Sequence, residues 1–174
     1  MKRSVFIGCL LCLSLTVRGV EHTGHNFNTA TSATLTLSGG NKVGTMVADG
    51  TVYTCMGATG TFASVPAQGG ICISLQRLDS VVVSFANDGL RYFNITHGSY
   101  TGTMSIFVSS NGTSWTSTEI AGSSTATTTV IENLNGQHYI KIKNTSSANN
   151  ILYIKYIDYW TEPQNCNCFP YVPE

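Results

Sequence analysis

Apolar and polar residues alternate with a period of two along most of this chain. In Tyr139–Lys143 the isoleucines fall on one side and the lysines on the other. In Ser80–Ala86, residues Val81, Val83 and Phe85 form a similar apolar side. Successive side chains of a strand point to opposite faces, and no segment keeps the 3.6-residue apolar period of a helix. The pattern therefore predicts antiparallel strands with one buried and one solvated face.

Short runs rich in Thr, Val, Ile, Tyr and Phe are separated by Gly, Asn, Asp and Ser at intervals of about ten residues, which is typical of β-sandwiches. We therefore predict an all-β fold, a single antiparallel, jelly-roll-like β-sandwich. The predicted strands are Thr34–Leu37, Val43–Ala48, Thr51–Cys55, Ile71–Leu75, Ser80–Ala86, Leu90–Thr96, Thr103–Ser109, Ser114–Ile120, Thr127–Ile131, Gln137–Lys143 and Ile151–Tyr159.

The connections between these strands have their own signatures. Asp49-Gly50 and Asn111-Gly112 favour two-residue hairpin turns, because both positions tolerate a positive φ. Residues 57–70 form a Gly/Ala/Thr segment that we interpret as a long loop. In the last strand, Leu152 and Ile154 share one face, whereas Ile157 falls on the other. A bulge near Lys155 would return Ile157 to the core.

The first residues resemble an export signal. Lys2 and Arg3 precede an apolar run from Val5 to Val17 that is too short to span a bilayer. The small residues around Gly19 predict cleavage after that position. We expect residues 1–19 to be a signal peptide, residues 20–160 to form the sandwich domain, and residues 161–174 to form an irregular tail that contains cysteine. The protein is then secreted or held at the cell surface.

The charge balance argues against nucleic acid as a partner. The chain has nine Lys and Arg against nine Asp and Glu, and cleavage would remove Lys2, Arg3 and Arg18, which leaves an acidic excess. Binding to phosphates depends on clustered basic residues. Only 10% of residues are charged, against about a quarter in typical domains. The surface is therefore rich in hydroxyls and amides, and no later apolar run is long enough to cross a membrane.

Cysteines Cys55, Cys72, Cys166 and Cys168 remain after cleavage. An even number in an exported chain favours disulfides. A Cys55–Cys72 bond would contribute about 3 kcal/mol on the chain-entropy model. Cys166 and Cys168 are too close for an easy bridge to each other, so either one bonds to the domain or both bond to another chain. The spacings match no usual zinc site, and we predict no metal.

Three segments carry a family resemblance. The hairpin Ser109–Trp115, the strand Tyr139–Lys143 and the closing Leu152–Asp158 resemble the second half of jelly-roll carbohydrate-binding domains. The discoidin-like group has a related hairpin. The chain is more similar to β-sandwich modules attached to secreted pectate-lyase-like and other polysaccharide-processing proteins of bacteria. The resemblance covers roughly residues 71–160 and implies a jelly-roll fold with a sugar-binding role.

Five residues are candidates for ligand binding. Trp115 offers a flat ring that can stack on the C–H face of a sugar, although the same residue could simply anchor the hairpin. Tyr100 lies between Gly98 and Gly102, where we expect it to be exposed, with His97 and Asn94 nearby. Trp160, at the end of the last strand, completes the set.

The sequence does not favour catalysis. Its acidic residues are scattered rather than paired, no Gly-x-Ser-x-Gly motif occurs, and the histidines lack the spacing of a metalloprotease. We therefore predict that the protein is not an enzyme and needs no cofactor. The leading hypothesis is a secreted binding module that holds glycans or another extracellular polymer through loop aromatics. The alternative is an extracellular structural subunit that self-assembles.

Overall fold

The computed structural model describes residues 21–85, 90–98, 100–121, 127–131, 134 and 136–161. The predicted signal peptide and the tail, with Cys166 and Cys168, lie outside the described residues and stay predictions. The strands are β1 Glu21–Asn26, β2 Leu35–Ser38, β3 Val43–Met46, β4 Val52–Met56, β5 Thr61–Val65, β6 Gly70–Leu75, β7 Ser80–Ser84, β8 Leu90–His97, β9 Thr103–Ser109, β10 Thr116–Ala121, β11 Thr127–Ile131, β12 Tyr139–Asn144 and β13 Leu152–Thr161.

The strands form two antiparallel sheets, which confirms the predicted sandwich. The seven-stranded sheet has the order β10-β9-β12-β7-β4-β3-β2. The six-stranded sheet has the order β11-β8-β13-β6-β5, with β1 also paired to β13. Short 3-10 turns occur at Phe27–Thr29 and Pro66–Gln68. The described part of the chain contains no α-helix, and none of its helical segments could span a membrane.

Strand β13 organises the six-stranded sheet. It pairs with β8 along one side, and its other side pairs first with β6 and then with β1. The register shifts between Ile154 and Tyr156, which confirms the predicted bulge at Lys155. Because of this extra residue, both Ile154 and Ile157 are fully buried.

The core lies between the two sheets and contains the apolar faces that the alternation predicts. Val81, Val83, Ile140 and Ile142 are all fully buried. Rings fill one end, where Phe27 packs edge-on against both Tyr53 and Phe62. Gly44 leaves room for Phe62, since a Cβ at this position would lie 2.5 Å from the ring.

Two strands and two turns differ from the sequence prediction. β1 was not predicted, and β5 occupies part of the segment interpreted as a loop. The Asp49-Gly50 turn is wider than two residues, since Thr45 pairs with Val52. The Asn111-Gly112 turn is also wider, because Thr116 pairs with Val108 and β10 begins at Thr116 rather than Ser114.

The predicted Cys55–Cys72 disulfide is wrong. Both cysteines are free and buried. Cys55 lies in β4 of the seven-stranded sheet and belongs to the core. Cys72 lies in β6 of the other sheet, and its neighbour Ile73 is the core residue there. The two thiols therefore belong to different sheets, and no disulfide joins them.

Candidate functional site

The loop between β9 and β10 is held by its own side chains. Asn111 Oδ1 accepts hydrogen bonds from the backbone N–H groups of Thr113 and Ser114, both at 2.9 Å. Ser109 Oγ accepts from the N–H of Gly112 at 2.9 Å and donates to Asn111 Oδ1 at 3.1 Å. Gly112 has a φ of 74°, a left-handed conformation that glycine adopts without strain. These bonds fix the loop that presents Trp115.

Trp115 lies over the outer face of the seven-stranded sheet. The ammonium of Lys141 is 4.2 Å from the centroid of the Trp115 ring and 4.6 Å from that of Phe107. Gly112 packs against the ring of Tyr139, which lies two residues before Lys141 on β12. A Cβ on Gly112 would lie 3.5 Å from the nearest atom of this ring. The strand, the loop and the lysine thus position one another.

An open groove of about 370 Å³ runs along this face. Its lining combines flat rings, one thioether, two hydroxyls and one ammonium group. The lining residues are Thr54, Met56, Val82, Gly112, Trp115, Tyr139 and Lys141. Met56 is 51% exposed, so the groove offers apolar surface to solvent. Such surface on a soluble protein commonly marks a binding site. We call this groove the Trp115 groove.

Lys141 is the cation of the Trp115 groove. Partial desolvation, together with the charge of Lys143 on the same face, lowers the pKa of Lys141 below its ordinary value. Among the described residues, neither lysine has a carboxylate within ion-pair distance. The Lys141 ammonium is thus held by rings on both sides and keeps N–H donors for a ligand oxygen.

The expectation that Tyr100 is exposed is wrong. Its ring is 2% exposed, and its hydroxyl lies 2.6 Å from both the Thr103 carbonyl and Asn144 Oδ1. Burial raises the pKa of Tyr100 to about 12. His97 is fully buried beside it, and its Nδ1 donates to the Gly98 carbonyl at 2.6 Å. Both residues belong to the interior, so neither can contact a ligand on the surface.

Asn94 and Trp160 lie on the outer face of the six-stranded sheet, on the opposite side of the molecule from Trp115. Trp160 is flanked by His22 and Tyr92. Asn94 pairs in register with Asp158, two residues before Trp160. The candidates are therefore divided between two surfaces, and Trp160 belongs to a strand rather than a loop.

A cluster of His25, Asp49, Tyr53 and Tyr159 has the residue types of a catalytic centre. Asp49 Oδ2 accepts from His25 Nε2 at 2.6 Å and from the Tyr159 hydroxyl at 2.7 Å, and the hydroxyl of Tyr53 donates to His25 Nδ1. However, Tyr53 is fully buried and His25 is 3% exposed. The histidine and Tyr53 are thus shielded from solvent, and the cluster links β1, β4 and β13 through buried hydrogen bonds.

Burial by itself would raise the pKa of Asp49. Hydrogen bonds from His25, Tyr159 and the Thr51 backbone outweigh that effect and hold the pKa well below its ordinary value. Burial, followed by the proximity of Asp49, raises the pKa of Tyr159 to about 12. Nothing in the sequence marked this cluster, because its members come from three distant strands and the turn between β3 and β4. Within the described ranges, no group of three or more potential metal ligands occurs.

Solved structures share the fold of this chain, an antiparallel β-sandwich of two sheets. A family 29 carbohydrate binding module complexed with mannohexaose is 15% identical, with a TM-score of 0.55 over 82% of this chain and 93% of that one. Another variant of this module is 12% identical, with a TM-score of 0.54 over 83% and 100%. The K2 cleaved adhesin domain of Lys-gingipain is 12% identical, with a TM-score of 0.51 over 80% and 99%. No family model and no curated protein matches the chain.

Proposed function

We propose that this protein is a secreted, non-catalytic module that binds a glycan chain in the Trp115 groove. The observation that carries the proposal is an open groove in which the rings of Trp115 and Tyr139 meet the ammonium of Lys141 on a rigid sheet. Aromatic rings stack on the C–H face of a pyranose, and an ammonium donates hydrogen bonds to its oxygens. The groove supplies both kinds of contact.

Two further features support this proposal. The sandwich shares its fold with a module complexed with mannohexaose, an oligosaccharide. The loop that presents Trp115 is held by four short-range hydrogen bonds, so little conformational entropy is lost when a ligand binds. The predicted export signal would bring the groove into contact with extracellular polysaccharides.

Affinity electrophoresis tests the proposal directly. The chain from residue 20 is run through gels that contain soluble mannan, glucomannan, xylan or polygalacturonate, with a gel lacking polysaccharide as reference. We expect at least one polysaccharide to retard the protein. Trp115→Ala should weaken that retardation at least tenfold, because a stacked ring contributes about 1 kcal/mol beyond the apolar area that it buries.

Matched variants separate ligand contact from folding. Thr118→Ala changes an exposed residue on β10 near Trp115 and should leave retardation unchanged. Trp115→Phe keeps a ring at the position and should retain part of the affinity. Retardation that is equal in the wild type and Trp115→Ala would contradict the Trp115 groove as the site. A wild type that no polysaccharide retards would contradict glycan binding.

A further inference from the structure

A second row of rings crosses the six-stranded sheet on its outer face. His22 on β1 pairs in register with Trp160 on β13, and Trp160 pairs with Tyr92 on β8. The ring centroids of His22 and Trp160 are 4.6 Å apart at an interplanar angle of 32°, and those of Tyr92 and Trp160 are 6.4 Å apart at 89°. The row spans two strand spacings, about 10 Å. We call it the Trp160 row.

The Trp160 row is open to solvent. The side chain of His22 is 48% exposed. Tyr92 is 43% exposed and is the only aromatic residue among the exposed large hydrophobic residues of the described chain. Neither ring is covered by the other elements described, although aromatic rings are usually buried where packing allows it. A ligand on this face would therefore remove apolar surface from water.

Polar acceptors lie directly beside the row. Asp158 faces Gly24 on one side and Asn94 on the other, and its Oδ1 accepts from His22 Nε2 at 2.7 Å. Asn94 Oδ1 is enclosed and has no hydrogen-bond donor among the described residues. An enclosed acceptor without a donor is uncommon in native proteins. Because the Asn94 oxygen is enclosed, a ligand hydroxyl group would reach Asp158 instead, whose side chain is 14% exposed.

These features specify the chemistry of the ligand. The rings offer flat apolar surface, while Asp158 can accept a hydrogen bond from an O–H group. An anionic ligand would meet the carboxylate of Asp158 and be repelled. We propose that the Trp160 row is a second saccharide-binding face, and that it takes a neutral, hydroxyl-rich glycan. The ligand class rests on the function proposed above, whereas the site is separate from the Trp115 groove.

The two surfaces lie on opposite sides of the sandwich, one on the outer face of each sheet. A single copy of the protein can therefore hold two chains at once and join them. Their charges also differ, since the Trp115 groove has an ammonium at its centre and the Trp160 row has a carboxylate beside it. The two surfaces consequently select different sugars or different parts of one polymer.

The chain has two tryptophans, one at each surface, so each surface has its own fluorescent reporter. In Trp115→Phe, the emission comes from Trp160, and in Trp160→Phe it comes from Trp115. Each variant is titrated with mannohexaose and cellohexaose. We expect a saturable change in Trp160 emission that Tyr92→Ala removes in the Trp115→Phe background. Tyr153→Ala is the matched control and should leave the response intact. Tyr153 lies on β13, as Trp160 does, but near the other end of this strand, opposite Ser74.

The outcomes distinguish the two proposals. If Trp115 emission responds and Trp160 emission does not, the second face is wrong and the Trp115 groove stands. If Trp160 responds and Trp115 does not, the second face stands and the Trp115 groove does not bind these two hexasaccharides. If neither tryptophan responds to either hexasaccharide, the Trp160 row does not bind neutral glycans and the inference fails. A Trp160 response that survives Tyr92→Ala also contradicts it.

Discussion

At the scale of single residues, Asp49 connects three separate parts of the fold. One oxygen of its carboxylate accepts from His25 on β1 and Tyr159 on β13, and the other accepts from the Thr51 N–H at 2.9 Å. Asp49 thus ties the six-stranded sheet to the turn before β4 and closes one end of the sandwich.

We predict that Asp49→Asn lowers the free energy of unfolding by about 2 kcal/mol at neutral pH, because the NH2 group of the amide would face at least one of the three donors that now bind the carboxylate. The lowered pKa of Asp49 stabilises the folded state above the ordinary carboxyl value of about 4. This stabilisation is lost as the pH falls through the folded pKa. Urea unfolding from pH 7 to pH 2 measures both effects. Equal pH dependence in the variant and wild type would contradict this role.

Tyr100 is predicted to act in stability rather than in binding. Tyr100→Phe leaves the Thr103 carbonyl and Asn144 Oδ1 without the hydroxyl that lies 2.6 Å from each. We expect a loss of about 1–2 kcal/mol in the free energy of unfolding, measured with urea, and unchanged retardation in the polysaccharide gels. Weaker retardation with an unchanged free energy of unfolding would indicate that Tyr100 contacts the ligand.

At the scale of elements, the bulge in β13 sets which side chains face the core. Before it, Ile154 is buried, and after it, Ile157 and Tyr159 are buried. If the same residues formed a regular strand without the bulge, a strict two-residue alternation would put Ile157 on the outer face and Asp158 in the interior. A single extra residue therefore allows one long strand to keep its apolar residues in the core both where it pairs with β6 and where it pairs with β1.

Deleting Lys155 and Tyr156 together is therefore expected to prevent folding, since every residue from Ile157 onward would change face, whereas deleting Lys155 alone would remove the bulge and keep Ile157 and Tyr159 on the core face. The measurements are solubility and the near-ultraviolet circular dichroism of the purified variant. Deleting Ser147, an exposed loop residue, is the matched control and should leave a folded protein. A folded, soluble variant that lacks both residues and has a native spectrum would show that the register is not fixed at this position.

The elements that the sequence predicted are those with clear alternation. Tyr139–Lys143 has isoleucines on one face, and the mismatch between Ile154 and Ile157 was enough to predict the bulge. β5 was missed because Phe62 is its one large apolar residue, and Gly and Ala around it are typical of loops. Tyr100 was misjudged because Gly98 and Gly102 indicate a turn, whereas its burial depends on Asn144, which is distant in the sequence.

At the scale of the whole molecule, the separation of the two sheets explains why the disulfide prediction was wrong and why Trp115 and Trp160 lie far apart. The even number of cysteines suggested a disulfide, but it contained no information about which layer each thiol occupies. In the same way, the sequence identified Trp115 and Trp160 as candidates without showing that they lie on opposite surfaces. Assignment of strands to sheets depends on long-range pairing, which local alternation does not determine.

The reactivity of the two buried thiols can be used to measure unfolding of the domain. Burial raises the pKa of Cys55 to about 12 and that of Cys72 to about 11, so neither is a reactive thiolate at pH 8. In the chain from residue 20 with Cys166→Ser and Cys168→Ser, we expect no reaction with Ellman's reagent in buffer and reaction of both thiols in urea. Immediate labelling of the native protein, or no labelling after unfolding, would contradict the assignment of free, buried cysteines.

The pairing of Glu21 with Thr161 brings the first and last described positions next to each other on adjacent strands. A short peptide could therefore join them into a closed ring, and new termini could be opened in the exposed loop at 147–149. Because these two positions are adjacent, the whole sandwich could be inserted into a surface turn of another protein without separating the two segments that flank that turn. The sandwich is accordingly suited to use as an insertable domain.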